Sequence, residues 1–166
     1  MKTVGEKLES WALAQKDPRE QDVFGRSAFN RYYYAVFLLV REMLVEFEPE
    51  RGKTQHASLP EYLKDTMRKR LKKKLEKSRK LGLITHGDES KLIEKYSESA
   101  ANLSELLKLA NDARKTADYE PEVYIAKSGN VISLGQHKLG SAKTWPGRAS
   151  AYCKTIRSVW RDAGFV

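Results

Sequence analysis

The sequence predicts an all-α protein, an antiparallel bundle of about five helices forming one domain over residues 1–166. Three observations carry that prediction. Apolar residues recur at helical spacing in five separate stretches. Proline or glycine punctuates the gaps between those stretches. The chain has 166 residues with 40% hydrophobic and 32% charged content, enough to bury about 70% of its unfolded surface without a disulfide or metal staple.

The first helix spans about Thr3–Gln15 and is closed by Asp17-Pro18. The second runs from about Asp22 to Phe47 and has the clearest period: Phe29, Tyr32, Tyr33, Val36, Phe37, Val40, Met43, Leu44 and Phe47 follow the 3.6 repeat. Its opposite side carries a second apolar stripe of Tyr34, Leu38 and Val45. A helix with two apolar faces packs on two sides, so these three residues are the expected homodimer interface. The alternative is a central helix within a monomer.

Glu48-Pro49 ends the second helix, and a polar connector, Arg51–Ala57, follows. Ser58-Leu59-Pro60-Glu61 has the spacing of a capping box. The third helix then holds Leu59, Leu63, Met67, Leu71 and Leu75 at intervals of four, a seam one residue wide, and most of its other residues are basic. Lys64–Lys80 contains ten basic and two acidic residues. Gly82 suits the C′ position, and Gly87-Asp88 leads into the fourth helix, about Glu89–Thr116. Its inward stripe of Ile93, Tyr96, Ala100, Leu103, Leu107 and Ala110, continued by the same count, reaches Arg114 and Ala117. A guanidinium on a buried face needs a partner or a water-lined cleft. Glu120-Pro121 stops this helix. Val123–Lys127 and Asn130–Leu134 flank Ser128-Gly129 and suit a short β-hairpin before the last helix. The last helix, about Thr144–Ala163, has an apolar face of Trp145, Ala149, Tyr152, Ile156 and Trp160, beside a basic stripe of Lys154, Arg157 and Arg161. Gly164 closes it.

Thirty-one Lys and Arg against 22 Asp and Glu give a net charge of +9. The excess is clustered, since Met1–Glu50 has seven basic and nine acidic residues while Pro121–Val166 has seven and two. Clustered positive charge favours a polyanionic partner; the plain alternative is a solvated helix face. The longest apolar stretch, Tyr32–Val40, is nine residues, and a transmembrane helix needs about twenty. Lys2, Glu6, Lys7 and Glu9 interrupt any signal-peptide pattern in Met1–Gln15. A cytoplasmic protein is therefore expected. The single cysteine, Cys153, excludes an intrachain disulfide and a Cys-rich zinc site.

No phosphate-binding glycine loop and no G-x-S-x-G elbow is present. His56, His86 and His137 lie in connectors, lack metal-ligand spacing and read as surface histidines. No metal or cofactor is called for.

Two strings remain, Arg26-Ser-Ala-Phe-Asn-Arg31-Tyr-Tyr-Tyr34-Ala-Val-Phe37 and Leu106-Leu-Lys-Leu-Ala-Asn-Asp-Ala-Arg114-Lys-Thr-Ala-Asp118-Tyr119-Glu120. The first resembles the Ser-Ala-x-x-Arg-x-Tyr-Tyr-Ala-x-Phe pattern of the HEPN family, and the second resembles that family's Arg-x-x-Ala-Asp-Tyr ending. The resemblance covers about Arg26–Glu120. It implies a helical bundle that dimerises and works on RNA or nucleotides, often in toxin–antitoxin or antiviral defence systems. Active members cut RNA without metal through an Arg-x4–6-His motif. Counted from Arg114, the histidine would fall at residue 119, 120 or 121, where this chain has Tyr119, Glu120 and Pro121. Tyrosine, with a pKa near 10, is a poor general base at neutral pH.

The resemblance thus implies a protein that binds RNA or a nucleotide through a degenerate motif. Arg26, Asn30, Arg31, Arg68, Lys69, Lys72, Lys73, Lys74 and Lys77 would contact nucleic acid. Two alternatives stay open. One is a metal-independent endoribonuclease toxin using Arg114 with Asp118, Tyr119 or Glu120, or with His56 as a substitute base. The other is a protein-interaction module whose basic face binds an acidic partner such as a cognate antitoxin or nucleotidyltransferase.

Overall fold

A computed structural model describes residues 1–53 and 56–165. Two positions of the polar connector, Thr54 and Gln55, lie outside the described residues. Helices dominate: α1 (Lys2–Ala14), α2 (Pro18–Phe47), α3 (residues 59–80), α4 (His86–Tyr119), α5 (Leu139–Ala142) and α6 (Trp145–Asp162). Between α4 and α5 stands a small antiparallel sheet, β1 (Ile125–Ser128), β2 (Val131–Leu134) and β3 (His137–Lys138). The architecture is the expected all-α bundle with a hairpin ahead of the last helix. The chain divides into two compact units, Met1–Leu39 with Leu107–Arg148 and Val40–Leu106 with Ala149–Val166. No helix among the described residues is long and apolar enough to cross a membrane.

In the first unit α2 begins at Pro18, four residues before the expected Asp22. Pro18 takes the first helical position, where its missing N–H costs nothing, and Asp17 caps the turn by accepting from the Arg19 N–H at 3.0 Å. The aromatic stripe of α2 is buried through Phe29, Tyr32, Tyr33, Val36 and Phe37. The C-terminal part of α4 contributes Ala110, Ala113 and Ala117, small residues that leave room for those rings. The two helices run antiparallel here, because Arg26 reaches the Ala117 carbonyl and Tyr33, further along α2, feels the charge of Arg114.

The sheet pairs Ile125 with Leu134 and Ser128 with Val131 across a Gly129-Asn130 turn, one residue beyond the expected Ser128-Gly129. Gly129 has φ +58° and Asn130 does not leave the negative region, the pattern of a II′ hairpin turn. A lone hairpin is marginal. This one gains a third strand, buries Ile132 and Leu134, and docks when the Ile125 N–H donates to Asp22 Oδ1 at 2.8 Å.

In the second unit the narrow seam of α3 is buried as its spacing predicts: Leu59, Leu63, Met67, Leu71 and Leu75 are all fully covered. The helix starts as Leu59–Glu61, widens into a π turn at Tyr62–Met67 and continues as Arg68–Lys80. Buried hydroxyls from α4 bond to carbonyls in this first part, Tyr96 Oη donating to Leu63 at 2.7 Å and Ser104 Oγ to Pro60 at 2.9 Å. The expected capping box at Ser58 does not form. Ser58 is the last residue of the 3-10 turn His56–Ser58, already has helical backbone angles and makes no side-chain cap bond. A reciprocal box forms instead at the start of α4, where Thr85 Oγ1 accepts from the Asp88 N–H and the Asp88 carboxylate accepts from the Thr85 N–H. The α6 face buries Ala149, Cys153, Ile156, Val159 and Trp160, whereas Tyr152 is only half-buried. Burial pushes the Cys153 thiol up to about 12, so it is an inert core residue at neutral pH.

Glu48 is the one strongly buried carboxylate among the described residues, with Arg51 and Arg70 bonded to it and the Tyr62 hydroxyl nearby. Burial pushes its pKa up, but the neighbouring hydroxyl and two guanidiniums outweigh that and hold it below the usual carboxylate range. A folded pKa below the unfolded one adds stability above the unfolded value and loses it as pH falls through the folded value. The gap in urea midpoint between wild type and Glu48→Gln is therefore expected to be wide at about pH 7 and to narrow as pH falls below the ordinary carboxylate range. A gap that stays constant across that range would refute the ion-pair account.

Candidate nucleic-acid interface

A seam at intervals of four leaves most of the α3 circumference in solvent, and the sequence fills that arc with cations. Lys69, Lys72, Lys73 and Lys77 are exposed on one side of the helix at i, i+3, i+4 and i+8. Among the described residues none of these four has an acidic partner. Five other basic side chains of α3 are engaged locally. Arg68 Nε donates to Ser97 Oγ at 3.0 Å, Arg70 bonds Glu48, Arg79 pairs with Glu89 at 2.6 Å and Lys80 with Glu76 at 2.7 Å. Lys74 is half-buried, with its ammonium 5.5 Å from the centroid of the Phe165 ring. The α6 stripe is partly neutralised in the same way, since Arg157 grips Glu46 with two bonds of 2.7 and 2.6 Å.

The first unit holds the end of α4. Arg114 sits at the edge of the inward stripe, half-buried, and the partner that such a position requires is Asp118, one turn on, with Nε 2.7 Å from Oδ2. Asn30 Nδ2 donates to the other Asp118 oxygen at 2.6 Å. Both oxygens of Asp118 are thus engaged in fixing Arg114 and Asn30. Arg114 Nη2 also donates to the Tyr119 hydroxyl at 3.3 Å, and the guanidinium carbon Cζ lies 5.2 Å from the ring centroid of Tyr119, a residue 67% exposed. Tyr33 is buried within reach of the Arg114 charge. Burial pushes its hydroxyl up to about 12 against the pull of Arg114, so it is neutral at physiological pH.

The remaining candidates separate. Arg26 is not turned to solvent. Its guanidinium donates to the carbonyls of Thr116, Ala117, Glu120, Pro121 and Val123, and its Nε pairs with Asp22 at 2.8 Å. It caps the C-terminus of α4, where the last carbonyls lack helical partners and the dipole favours a cation. Arg31 is half-buried against the Met1 sulfur. Glu120 lends its carbonyl to Arg26, and its side chain borders a hollow with Thr116, Val123 and His137. Of the second apolar stripe, Tyr34 and Leu38 are half-buried in the first unit and Val45 is exposed in the second.

His137 corrects an expectation, because it is 5% exposed rather than a surface residue, and its Nε2 lies 3.1 Å from Asp112 Oδ2. It is no substitute for the missing motif histidine. Residues two apart on a helix are about 200° apart in azimuth, so Asp112 faces away from Arg114. His56 belongs to the second unit and Arg114 to the first. His86 is exposed beside Glu89. Among the described residues no group of three or more His, Cys, Asp and Glu side chains is gathered to hold a metal.

The sequence reading missed Phe165, which joins Arg70, Lys73, Lys74 and Lys77 around one hollow. The only signal available was the glycine before it. No family model matches the chain, and neither curated proteins nor solved structures give a match.

Proposed function

We propose that this protein is a HEPN-like RNA- or nucleotide-binding protein of a toxin–antitoxin or antiviral defence system, and that it binds without cutting. The observation that carries the reading is the row of Lys69, Lys72, Lys73 and Lys77, exposed together and without acidic partners among the described residues. Such a row is electrostatically unfavourable to the isolated chain and complementary to a phosphate backbone. The absence of cutting is supported at the end of α4. Asp118 is occupied by Arg114 and Asn30, Tyr119 lies against the Arg114 guanidinium, and His137 is on another face.

Binding of a labelled RNA should weaken with salt, with a log–log slope of about −0.7 per phosphate neutralised. The same RNA should stay intact when incubated with the protein in EDTA. No binding even at low salt would defeat the nucleic-acid reading and favour the acidic protein partner. Cleavage that Arg114→Ala abolishes would replace it with the endoribonuclease reading. The protein is also proposed to be a homodimer through Tyr34, Leu38 and Val45. Light scattering should then give twice the 19.0 kDa chain mass, and a monomer at micromolar concentration would overturn that part.

A further inference from the structure

The end of α6 places an aromatic ring among the cations of α3. Gly164, at φ +73°, closes α6 in a Schellman turn, with the Phe165 N–H donating to the Trp160 carbonyl at 3.1 Å and the Gly164 N–H to Arg161 at 2.9 Å. The turn folds Phe165 back onto Trp160, ring centroids 4.0 Å apart, and Trp160 is stacked in turn on Phe47 at 4.8 Å and 18°. Phe165 is therefore fixed by a backbone bond and a ladder of rings. It shares an open hollow with Arg70, Lys73, Lys74 and Lys77, which lie on one face of α3 at i, i+3, i+4 and i+7.

Packing alone accounts poorly for this arrangement. The hydrophobic contact of a Schellman turn needs an apolar residue at position 165 but does not need four cations around it. Only Arg70 has a carboxylate, Glu48; among the described residues Lys73, Lys74 and Lys77 have none. A held aromatic ring beside a run of lysines suits an unpaired nucleotide, whose base stacks on the ring while its phosphates follow the lysines. Lys74, on a flexible stem, can give up its place over the ring to a base and turn its ammonium to the backbone. A duplex offers the same phosphates but keeps its bases in the stack.

We infer that the hollow between Phe165 and Arg70, Lys73, Lys74 and Lys77 is a subsite for single-stranded nucleic acid, with Phe165 as its stacking platform. This rests on the RNA-binding reading above and adds which form of nucleic acid is taken.

The test compares wild type, Phe165→Leu and Phe165→Trp by fluorescence anisotropy at low salt. The probes are a short oligoadenylate, a duplex RNA of equal length and an abasic ribose-phosphate oligomer. Phe165→Leu keeps an apolar residue against Trp160, and urea denaturation checks that its fold is retained. It should weaken oligoadenylate binding about tenfold and leave the duplex and the abasic oligomer unchanged. Phe165→Trp should restore the loss. Equal weakening on all three probes, or none on oligoadenylate, would overturn the subsite while salt-dependent binding keeps the parent reading intact. If the wild type binds none of the three, the parent reading falls and the subsite with it. Polyglutamate that competes as well as oligoadenylate would reassign the hollow to an acidic protein.

Discussion

Replacing Arg26 with alanine is expected to destabilise the protein by about 3 kcal/mol, the range for breaking a charged hydrogen-bond network. The side chain is 13% exposed and serves five carbonyls at and beyond the end of α4, together with Asp22. Alanine leaves those carbonyls without their donor and Asp22 without its cation. Asp22 also accepts from the Ile125 N–H, so the disturbance should reach the edge of the sheet. For a chain of this size the loss corresponds to a fall in Tm of roughly 6–12 °C, measurable by circular dichroism. Arg26→Lys should recover only a part, because an ammonium cannot place donors on so many acceptors in one plane. A change of less than about 1 kcal/mol would mean that water replaces the guanidinium at little cost, and the capping account would fail.

The second large effect is on binding. Reversing Lys72, Lys73 and Lys77 to Glu should weaken RNA binding roughly a hundredfold or more at low salt and make the log–log salt slope shallower by about 2. All RNA sequences should suffer alike, since phosphate contacts do not read bases. The three lysines are exposed and, among the described residues, have no acidic partner, so stability should stay within about 0.5 kcal/mol of wild type. An unchanged affinity in a folded variant would remove α3 from the interface. A changed affinity with an unchanged salt slope would argue for a contact other than phosphate.

Much of the fold was legible in local pattern. The interval of four from Leu59 to Leu75 marks a single buried seam, and a helix glued on by a single seam leaves the rest of its surface to lysine and arginine. Likewise, Gly82 and Gly164 end their helices in the left-handed conformation their positions suggest. The count along α4 puts Arg114 at the rim of the buried stripe, in need of the carboxylate that Asp118 supplies one turn later. These features depend on contacts within about one helical turn, where spacing along the chain is spacing in space.

What the sequence by itself determined is the set of helices, their buried faces and the cationic face of α3. Only the tertiary structure decided which basic residues are available. Arg26 lies in a family-like string and reads as a nucleic-acid contact, yet the end of α4, about ninety residues later in the chain, occupies its guanidinium. His137 reads as a connector residue, yet it is buried and its ring meets Asp112 from a different element. Phe165 has no periodic neighbours to mark it, and acquires its place only where a turn at Gly164 meets α3. Each of these outcomes depends on a pairing between distant segments. A periodicity records which face of an element is buried, whereas the partner that buries it is chosen by packing.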